Sequence, residues 1–579
     1  MVWNELKAAV ARALDAAGLL TPERLARLDF AIPRESAHGD WTTNFCMIVA
    51  KEAGRPPRAL AEAIRSHFAT DDAFVGAVEI AGPGFLNFRY SDAFLAALPG
   101  RILGDGEGFG RSDFGAGEKI LVEFVSANPT GPMNVVSARA AAVGATLVAL
   151  LRATGWDAAS EFYVNDTGNQ VDLLGESLAA RFAATIGVER PLPPEGYQGD
   201  YLRVLAGELP AAEARTQLAS PQGARWFRDQ ALARMLAWQQ RDLEAYGVAF
   251  DRWFRESEVH VSGEVDATFK ALEQRDMTYR ATRPEGVSEN SLARVKNEEG
   301  AAAGTAEATW LRTFGFGDDM DRVIVRSDGR PTYLLPDIAY HRNKCGRGFR
   351  RAINLWGPDH HAYVATLTAA LKALGLEDDF LQILIVQQVN LLRDGAEVKM
   401  SKRAGEFVTL RELVDEVGPD CARFFFLTRS TSAHLDFDLA LAKRHNDDNP
   451  AFYVQYAHAR LSAILRLATE RGIAPAAGSS TPLGAPEEVA LVRKLATFPE
   501  VVRGAAVMRE PHRLPTYLIE TAAETHRFIH ACRVVGDDVA VSRHRLRLCA
   551  ATQQVLRNGL ALMGVSAPER LEREAESTT

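Results

Sequence analysis

Two lysines three residues apart, Lys399 and Lys402, stand in the run Lys399-Met400-Ser401-Lys402, after the polar turn Arg393-Asp394-Gly395-Ala396-Glu397. On a loop at the edge of a parallel sheet, two ammonium groups at this spacing reach one polyphosphate together. They would stabilise the charge that builds during nucleotidyl displacement. A bare Lys-x-x-Lys is more often a solvated basic loop, so the pattern needs company. Far upstream, Asn128-Pro129-Thr130-Gly131-Pro132 joins a strand-like run to a helix starting near Asn134. The N–H groups and dipole of a helix N-terminus suit a phosphate or carboxylate. His360 and His361, in Trp356-Gly357-Pro358-Asp359-His360-His361, follow another strand-like run. Such a pair serves equally as phosphate donors, a metal half-site or a surface turn.

These groups need a scaffold, and the chain alternates strand-like and helical segments around them. Residues 119–127 and 158–166 read as strands, and 135–153 and 170–186 as helices. Such alternation implies a parallel sheet. Strand-like runs at 322–326, 352–356 and 381–389 suggest that the sheet resumes after about residue 320, which makes the intervening residues, about 190–310, an insertion. Within it, 201–246 is helical and charged, and 282–308 has the Gly, Ala, Glu, Ser and Asn composition of an exposed loop. Residues 1–112 mix helices with short strands and end in the glycine-rich 104–110, read as a linker. From Asn449 onward the apolar spacing is helical throughout. The expected fold is multidomain α/β: an N-terminal α/β domain (1–112), a doubly wound, Rossmann-like catalytic domain with an insertion (113–448), and a C-terminal all-α bundle (449–579).

At 579 residues the chain has room for about three to five structural units. No run approaches the ~20 apolar residues of a membrane span, and the N-terminal helix pattern of Trp3, Leu6, Val10 and Leu14 is unlike a secretion signal, so a cytoplasmic location is expected. The five cysteines are scattered without Cys-x-x-Cys spacing, which predicts buried free thiols and neither disulfides nor a zinc ribbon. A net charge of -9 argues against a purely electrostatic nucleic-acid coat, yet leaves local phosphate contacts open.

The company that the lysines need is present. The lysine run with its flanks 387–391 and 403–410, and Val122-Glu123-Phe124-Val125-Ser126-Ala127-Asn128-Pro129-Thr130-Gly131-Pro132, resemble the two signature regions of class I aminoacyl-tRNA synthetases of the arginyl type. The upstream signature departs from the family: Asn134-Val135-Val136-Ser137 stands where the pattern has His-x-Gly-His. Asn134 and Ser137 keep hydrogen-bonding capacity but cannot become cationic.

The resemblance implies a catalytic set of Lys399, Lys402, Asn134 and Ser137, and ATP contacts from Pro129, Gly131, Asn134, Ser137, His360, His361, Lys399, Met400, Ser401 and Lys402. It implies that Glu123 and Asn128 hold the amino acid, that Tyr333 and Asp337 line a guanidinium pocket, and that Asp359 is a further candidate. A guanidinium asks for carboxylates and planar acceptors because it carries five donors in a rigid fork. Asp166 or Thr167, in another family-like run, reads as the cap of the helix that follows. For RNA, Phe85 and Asn87 share one strand face in the N-terminal domain, and Tyr456 and Arg460 share one helix face near the C-terminal domain's start. For Phe85 a core role is an equal alternative.

The resemblance covers essentially the whole chain and implies an arginine–tRNA ligase. Its partners are L-arginine, ATP accompanied by Mg2+, and tRNA(Arg). No tightly bound cofactor, metal site or membrane is implied, and a monomer is the default. The alternative is a relative that binds tRNA but has lost ATP activation.

Overall fold

Lys119–Glu123 (β1), Asp157–Val164 (β2), Arg351–Trp356 (β4) and Leu381–Ile385 (β5) are short apolar runs, as strands covered on both faces require. With Arg252–Arg255 (β3) at one edge they form an all-parallel sheet in the order β5-β4-β1-β2-β3. Val135–Ala153 (α1) makes the crossover from β1 to β2. Because β1 lies between β2 and the much later β4, the order reverses at β1/β4, and the carboxyl ends of these two strands flank the crevice where doubly wound sheets bind ligands.

The computed structural model describes residues 2–33, 35–70, 74–284, 306–393, 395–398, 408–478 and 483–572. Two compact bodies emerge. One, Gly115–Arg152 with Trp156–Lys443, holds the parallel sheet. Its other elements used below are Asn169–Thr185 (α2), Gly223–Ala245 (α3), Leu334–Gly346 (α4), Tyr363–Leu374 (α5) and Leu410–Val417 (α6). Val389–Arg393 (β6) and Leu435–Asp438 (β7) pair in parallel in a second, small sheet.

In this body three expectations change. The 322–326 run forms Arg322–Val325, but in a separate antiparallel sheet with Thr278–Ala281 and Ala308–Leu311, so the parallel sheet resumes only at β4. The apolar run 381–389 is two strands in two sheets, divided at 386–388, where Gln387 N–H turns to Thr431 O (2.8 Å). And α1 is long and apolar enough to cross a bilayer by length and composition, contrary to the expectation that no run approaches that length; 67% of its apolar window is buried inside the protein. Its small residues serve that burial: a Cβ on Gly144 would lie 2.2 Å from the Phe124 ring, so only glycine lets the helix settle against the end of β1.

The second body unites the N-terminal segment, Met1–Phe114, with Arg444–Thr579 and Ala153–Gly155. Its three-stranded antiparallel sheet runs Trp41–Thr43, Phe85–Tyr90, Val75–Ala81, and its C-terminal helices are Pro450–Glu470, Pro486–Ala496, Phe498–Met508, Arg513–Ala531 and Val539–Leu562. The glycine-rich 104–110, expected as a linker, is docked within this body. Asn558 Nδ2 donates to Gly106 O (2.9 Å) and Phe109 O (3.0 Å), and Phe109 stacks on Phe498. Of the cysteines, Cys46, Cys532 and Cys549 are buried and free; Cys345 is exposed and Cys421 half-buried, against the expectation that all would be buried.

Candidate active site

At the carboxyl end of β1 the chain turns through Val125 (φ 67°) and Ser126 (φ 40°). Two consecutive non-glycine residues in the left-handed region, one of them β-branched, cost about 1–3 kcal/mol each and persist only where surroundings enforce them. Ser126 Oγ donates to Glu123 Oε1 (3.2 Å) and accepts from Tyr163 N–H (3.1 Å). Beyond the turn, the buried amide of Gln239 on α3 donates to Asn128 O (3.1 Å) and Gly131 O (3.0 Å), and Tyr201 Oη donates to Thr130 O (2.7 Å). The Asn-Pro-Thr-Gly loop is thus held by residues of the segment read as an insertion. Asn128 is exposed, with its amide on Gln170 of α2 (3.1 Å), and Pro129 is buried.

Asn134 Oδ1 accepts from Ser137 N–H (3.0 Å) and Ser137 Oγ (3.3 Å), so these two side chains are spent on each other as the cap of α1. Sequence reasoning gave both to ATP; the geometry adds a local structural use. Met133 O and Asn134 also meet the start of α6, through Leu410 N–H (2.8 Å) and a backbone bridge to Thr409. Lys399, Met400, Ser401 and Lys402 lie outside the described residues.

A polar row crosses the sheet one residue short of the turn. Asn354, Glu123, Glu161 and Arg252 are in register on four adjacent strands, β4, β1, β2 and β3. Over them lies α4, with Asp337, Tyr340, His341 and Lys344 spaced three, one and three apart on one face. Lys344, with no exposed surface, donates to Glu123 Oε2 (2.6 Å) and Asn354 Oδ1 (3.0 Å). Glu161, also fully buried, accepts from Tyr340 Oη (2.7 Å) and from both Arg347 terminal nitrogens (2.5 and 2.9 Å).

Because Lys344 claims the Asn354 oxygen, the Asn354 amide nitrogen faces His341 Nε2 (3.0 Å), which must accept. The His341 proton is therefore on Nδ1, donated to Asp337 O (2.8 Å). Burial, reinforced by the Lys344 charge, pulls the His341 pKa far down and keeps the ring neutral. Of these residues sequence reasoning named Glu123 and Asp337 and missed Lys344, Glu161, Arg347, Gln239 and Tyr201. For Lys344, the repeat of polar residues at helical spacing through 337–344, continuing past the family-like run, was the available signal.

Asp337 is the half-buried carboxyl at the N-terminal end of this network. Tyr363 Oη on α5 donates to its Oδ2 (2.7 Å). Burial nevertheless pushes the Asp337 carboxyl up to about 7, and the charges of Glu123 and Glu256 add to the rise. Such a group is relieved by an arriving cation. Tyr333, expected beside it, stands 82% exposed at the N-terminal end of α4, whereas Asp337 is half-buried. Glu123 is enclosed but already holds Lys344 and Ser126. Asp359, His360 and His361, past the end of β4, are exposed. Neither Asp166 nor Thr167 caps the helix that follows them; the Asp166 carboxylate accepts instead from Ser257 N–H (2.9 Å) and Ser257 Oγ (2.7 Å) in the first turn of Glu256–Val261.

In the other body, Phe85 is half-buried, while Asn87 is buried and accepts from Thr42 Oγ1 across the strand pair (2.7 Å). That corrects the picture of Asn87 as an open base-reading amide. Tyr456 stacks on Phe452 (centroids 5.6 Å apart), and Arg460 faces His526 Nδ1 (3.3 Å).

Comparison with known proteins now bears on this geometry. Residues 4–90 match the family described as arginyl tRNA synthetase N terminal domain, and residues 454–571 the DALR anticodon binding domain. The arginine–tRNA ligase of Geobacillus thermodenitrificans is 41% identical over 575 residues, covering 98% of this chain and 99% of the relative. The chain belongs to the arginyl-tRNA synthetase family. The arginine–tRNA ligase of Bacillus subtilis is 40% identical, with 98% of each chain covered. Among solved structures, a putative arginyl-tRNA synthetase from Campylobacter jejuni is similar with TM-score 0.73 and 30% identity, over 83% of this chain and all of that one. The Thermus thermophilus arginyl-tRNA synthetase, at 23% identity, shares the fold over 99% of this chain and all of its own, with TM-score 0.74. Within this synthetase family, the sequence Asn134-Val135-Val136-Ser137 is the chain's departure from the His-x-Gly-His signature.

Proposed function

We propose that this protein is a working arginine–tRNA ligase: it joins L-arginine to ATP as the adenylate, releasing pyrophosphate, and transfers arginine to the 3'-terminal adenosine of tRNA(Arg). The observation that carries this reading is the likeness to arginine–tRNA ligases over 98% of the chain, joined by the half-buried Asp337 carboxyl, which burial and the nearby Glu123 and Glu256 raise to about 7. A guanidinium fits such a site because it brings a permanent charge and a planar fork of donors.

In this proposal Asp337 receives the guanidinium, with Tyr333 closing over it, and Glu123, Asn128 and Asp359 hold or flank the amino-acid end. Pro129, Gly131, Asn134, Ser137, His360, His361 and the 399–402 segment receive ATP, with Lys399 and Lys402 supplying the positive charge that Asn134 and Ser137 do not. Adenylation needs no covalent nucleophile on the protein, so positioning and electrostatics suffice. Magnesium accompanies the ATP phosphates as part of the substrate. Phe85, Tyr456 and Arg460 contribute to tRNA binding; the protein acts as a cytoplasmic monomer, with domains 1–112, 113–448 and 449–579.

The test is arginine-dependent ATP–pyrophosphate exchange with purified protein, with and without tRNA(Arg), using lysine as the control amino acid. Exchange that requires arginine and tRNA is expected. Binding of tRNA with no exchange would instead mean a relative that has lost activation.

A further inference from the structure

In the first signature loop, Asn128-Pro129-Thr130-Gly131-Pro132, two residues precede proline: Asn128 and Gly131. Proline fixes its own φ and pushes the residue before it toward extended backbone, so both ends of the loop are stiff. Each of these two peptides has a carbonyl but no N–H, and both carbonyls go to one side chain. Gln239, on α3 and with no exposed surface, donates from Nε2 to Asn128 O (3.1 Å) and to Gly131 O (3.0 Å). The facing atoms are both carbonyl oxygens, so the amide nitrogen must point at them, one hydrogen for each end of the loop. Between the ends, Thr130 O accepts from Tyr201 Oη (2.7 Å), at the start of the helix Tyr201–Gly207.

The helix that carries Gln239 is itself fixed on both sides of it. Toward its N-terminus, Phe227, Ala231 and Met235 are buried in one cluster with Leu174, Leu178 and Phe182 of α2. Past its C-terminus, Arg423, 2% exposed on the helix Pro419–Leu427, donates from Nη1 to Tyr246 O (3.2 Å) and Gly247 O (3.0 Å). A buried cation on these carbonyls also meets the negative end of the α3 dipole. Gln239 lies between the two anchors, so the tie to the loop has a rigid base.

We propose that Gln239 is a positioning residue for adenylation: by tying the Asn128 and Gly131 carbonyls to one amide, it sets the spacing between the amino-acid end and the nucleotide end of the signature loop. This rests on the proposed reading that Asn128 meets arginine and that Pro129 and Gly131 meet ATP. In adenylation a carboxylate oxygen of arginine bonds to the α-phosphorus of ATP, while the bond from that phosphorus to pyrophosphate breaks and pyrophosphate leaves with the electron pair. The placement of one substrate against the other governs that step, so the tie acts on kcat more than on the hold over either substrate. Methionine at this position keeps the length of the side chain without a donor, and glutamate keeps the shape but turns a carboxylate toward two carbonyl oxygens.

The experiment compares Q239M and Q239E with M235A, a cavity-forming change at a fully buried position of the same helix. Readouts are melting temperature and, in arginine-dependent pyrophosphate exchange at saturating tRNA(Arg), kcat and the KM for ATP and for arginine. The expected result is a fall in kcat of about thirtyfold in Q239M and about a hundredfold in Q239E, with both KM values within about threefold of wild type. M235A lowers the melting temperature and keeps kcat within about twofold. Should Q239E fail to fold, Q239M carries the comparison. If the Gln239 variants lose melting temperature as M235A does and keep kcat, Gln239 is structural and the proposal is overturned. It is overturned as well if the KM for one substrate rises with kcat unchanged, since Gln239 then shapes a single pocket. Asn128→Ala tests the underlying reading separately: normal kinetics in N128A overturn both, whereas a defective N128A beside Gln239 variants of normal kcat overturns only the positioning role.

Discussion

The two halves of the candidate site are built differently. On the side proposed for the amino acid, Glu123 and Glu161 are buried on strands and Asp337 is half-buried on a helix, and the three are matched to Lys344, Arg347 and Tyr363 at 2.5–2.7 Å. On the side proposed for the nucleotide, His360 and His361 are exposed on a turn past the end of β4. A small, permanently charged fork is best met by groups fixed in advance, since every hydrogen bond aimed beforehand saves ordering on binding. A flexible triphosphate carries its own charge and counter-ion, and exposed donors on turns can follow it.

Breaking the enclosed half has the largest expected effect. Asp337→Asn keeps the shape but loses the charge, and should cut kcat/KM for arginine by roughly a thousandfold in pyrophosphate exchange, because a site built for a guanidinium fork is left mismatched. His361→Ala, on the exposed half, should cost no more than about tenfold; equal losses would erase the contrast between the halves. Lys344→Met strands Glu123 in a buried place and should destabilise the protein by about 3–5 kcal/mol in chemical denaturation. Adding Glu123→Gln should recover part of that stability without restoring activity.

The pH dependence is a finer probe. With the Asp337 carboxyl at about 7, arginine selects its ionised form, so binding releases a proton and KM for arginine should rise by up to tenfold per unit as pH falls below 7. Since this carboxyl is raised in the fold, its contribution to stability runs the other way: the folded state holds the extra proton, and stability declines as pH rises from the ordinary carboxylate range through 7. The smallest effect separates cap from ATP contact at the altered signature. Asn134→Ala should cost about 1 kcal/mol of stability, whereas Asn134→Asp keeps the cap and should slow only ATP use by adding negative charge. If Asn134→Asp leaves ATP kinetics untouched, Asn134 serves only the helix.

What could be read from sequence followed the strength of local signals. The helix 135–153 was legible to the residue because a run of small apolar residues follows a capping Asn. The edge strand Arg252–Arg255 was not, since four residues with charged ends carry no period. The 381–389 run hid its break because partners change there with no glycine or proline to mark it; the division is made by Thr431, far along the chain. Likewise Asp337 was legible within its motif, but Lys344 acquires its meaning only when α4 crosses the sheet. The docking of Gln239 and Tyr201 onto the signature loop left no local trace at all.

The distance along the chain between Glu123 and its cation has a consequence for biogenesis. They are 221 residues apart, and Glu161 and Arg347 are 186 apart. At cellular synthesis rates, Glu123 leaves the ribosome roughly ten to forty seconds before Lys344 exists. Until then β1 and β2 carry two carboxylates destined for the interior without Lys344 and Arg347, the cations that neutralise them there, which makes closing the first half of the sheet dry costly. The nascent chain is obliged to wait, hydrated at the very edge where its chemistry will sit, until α4 emerges.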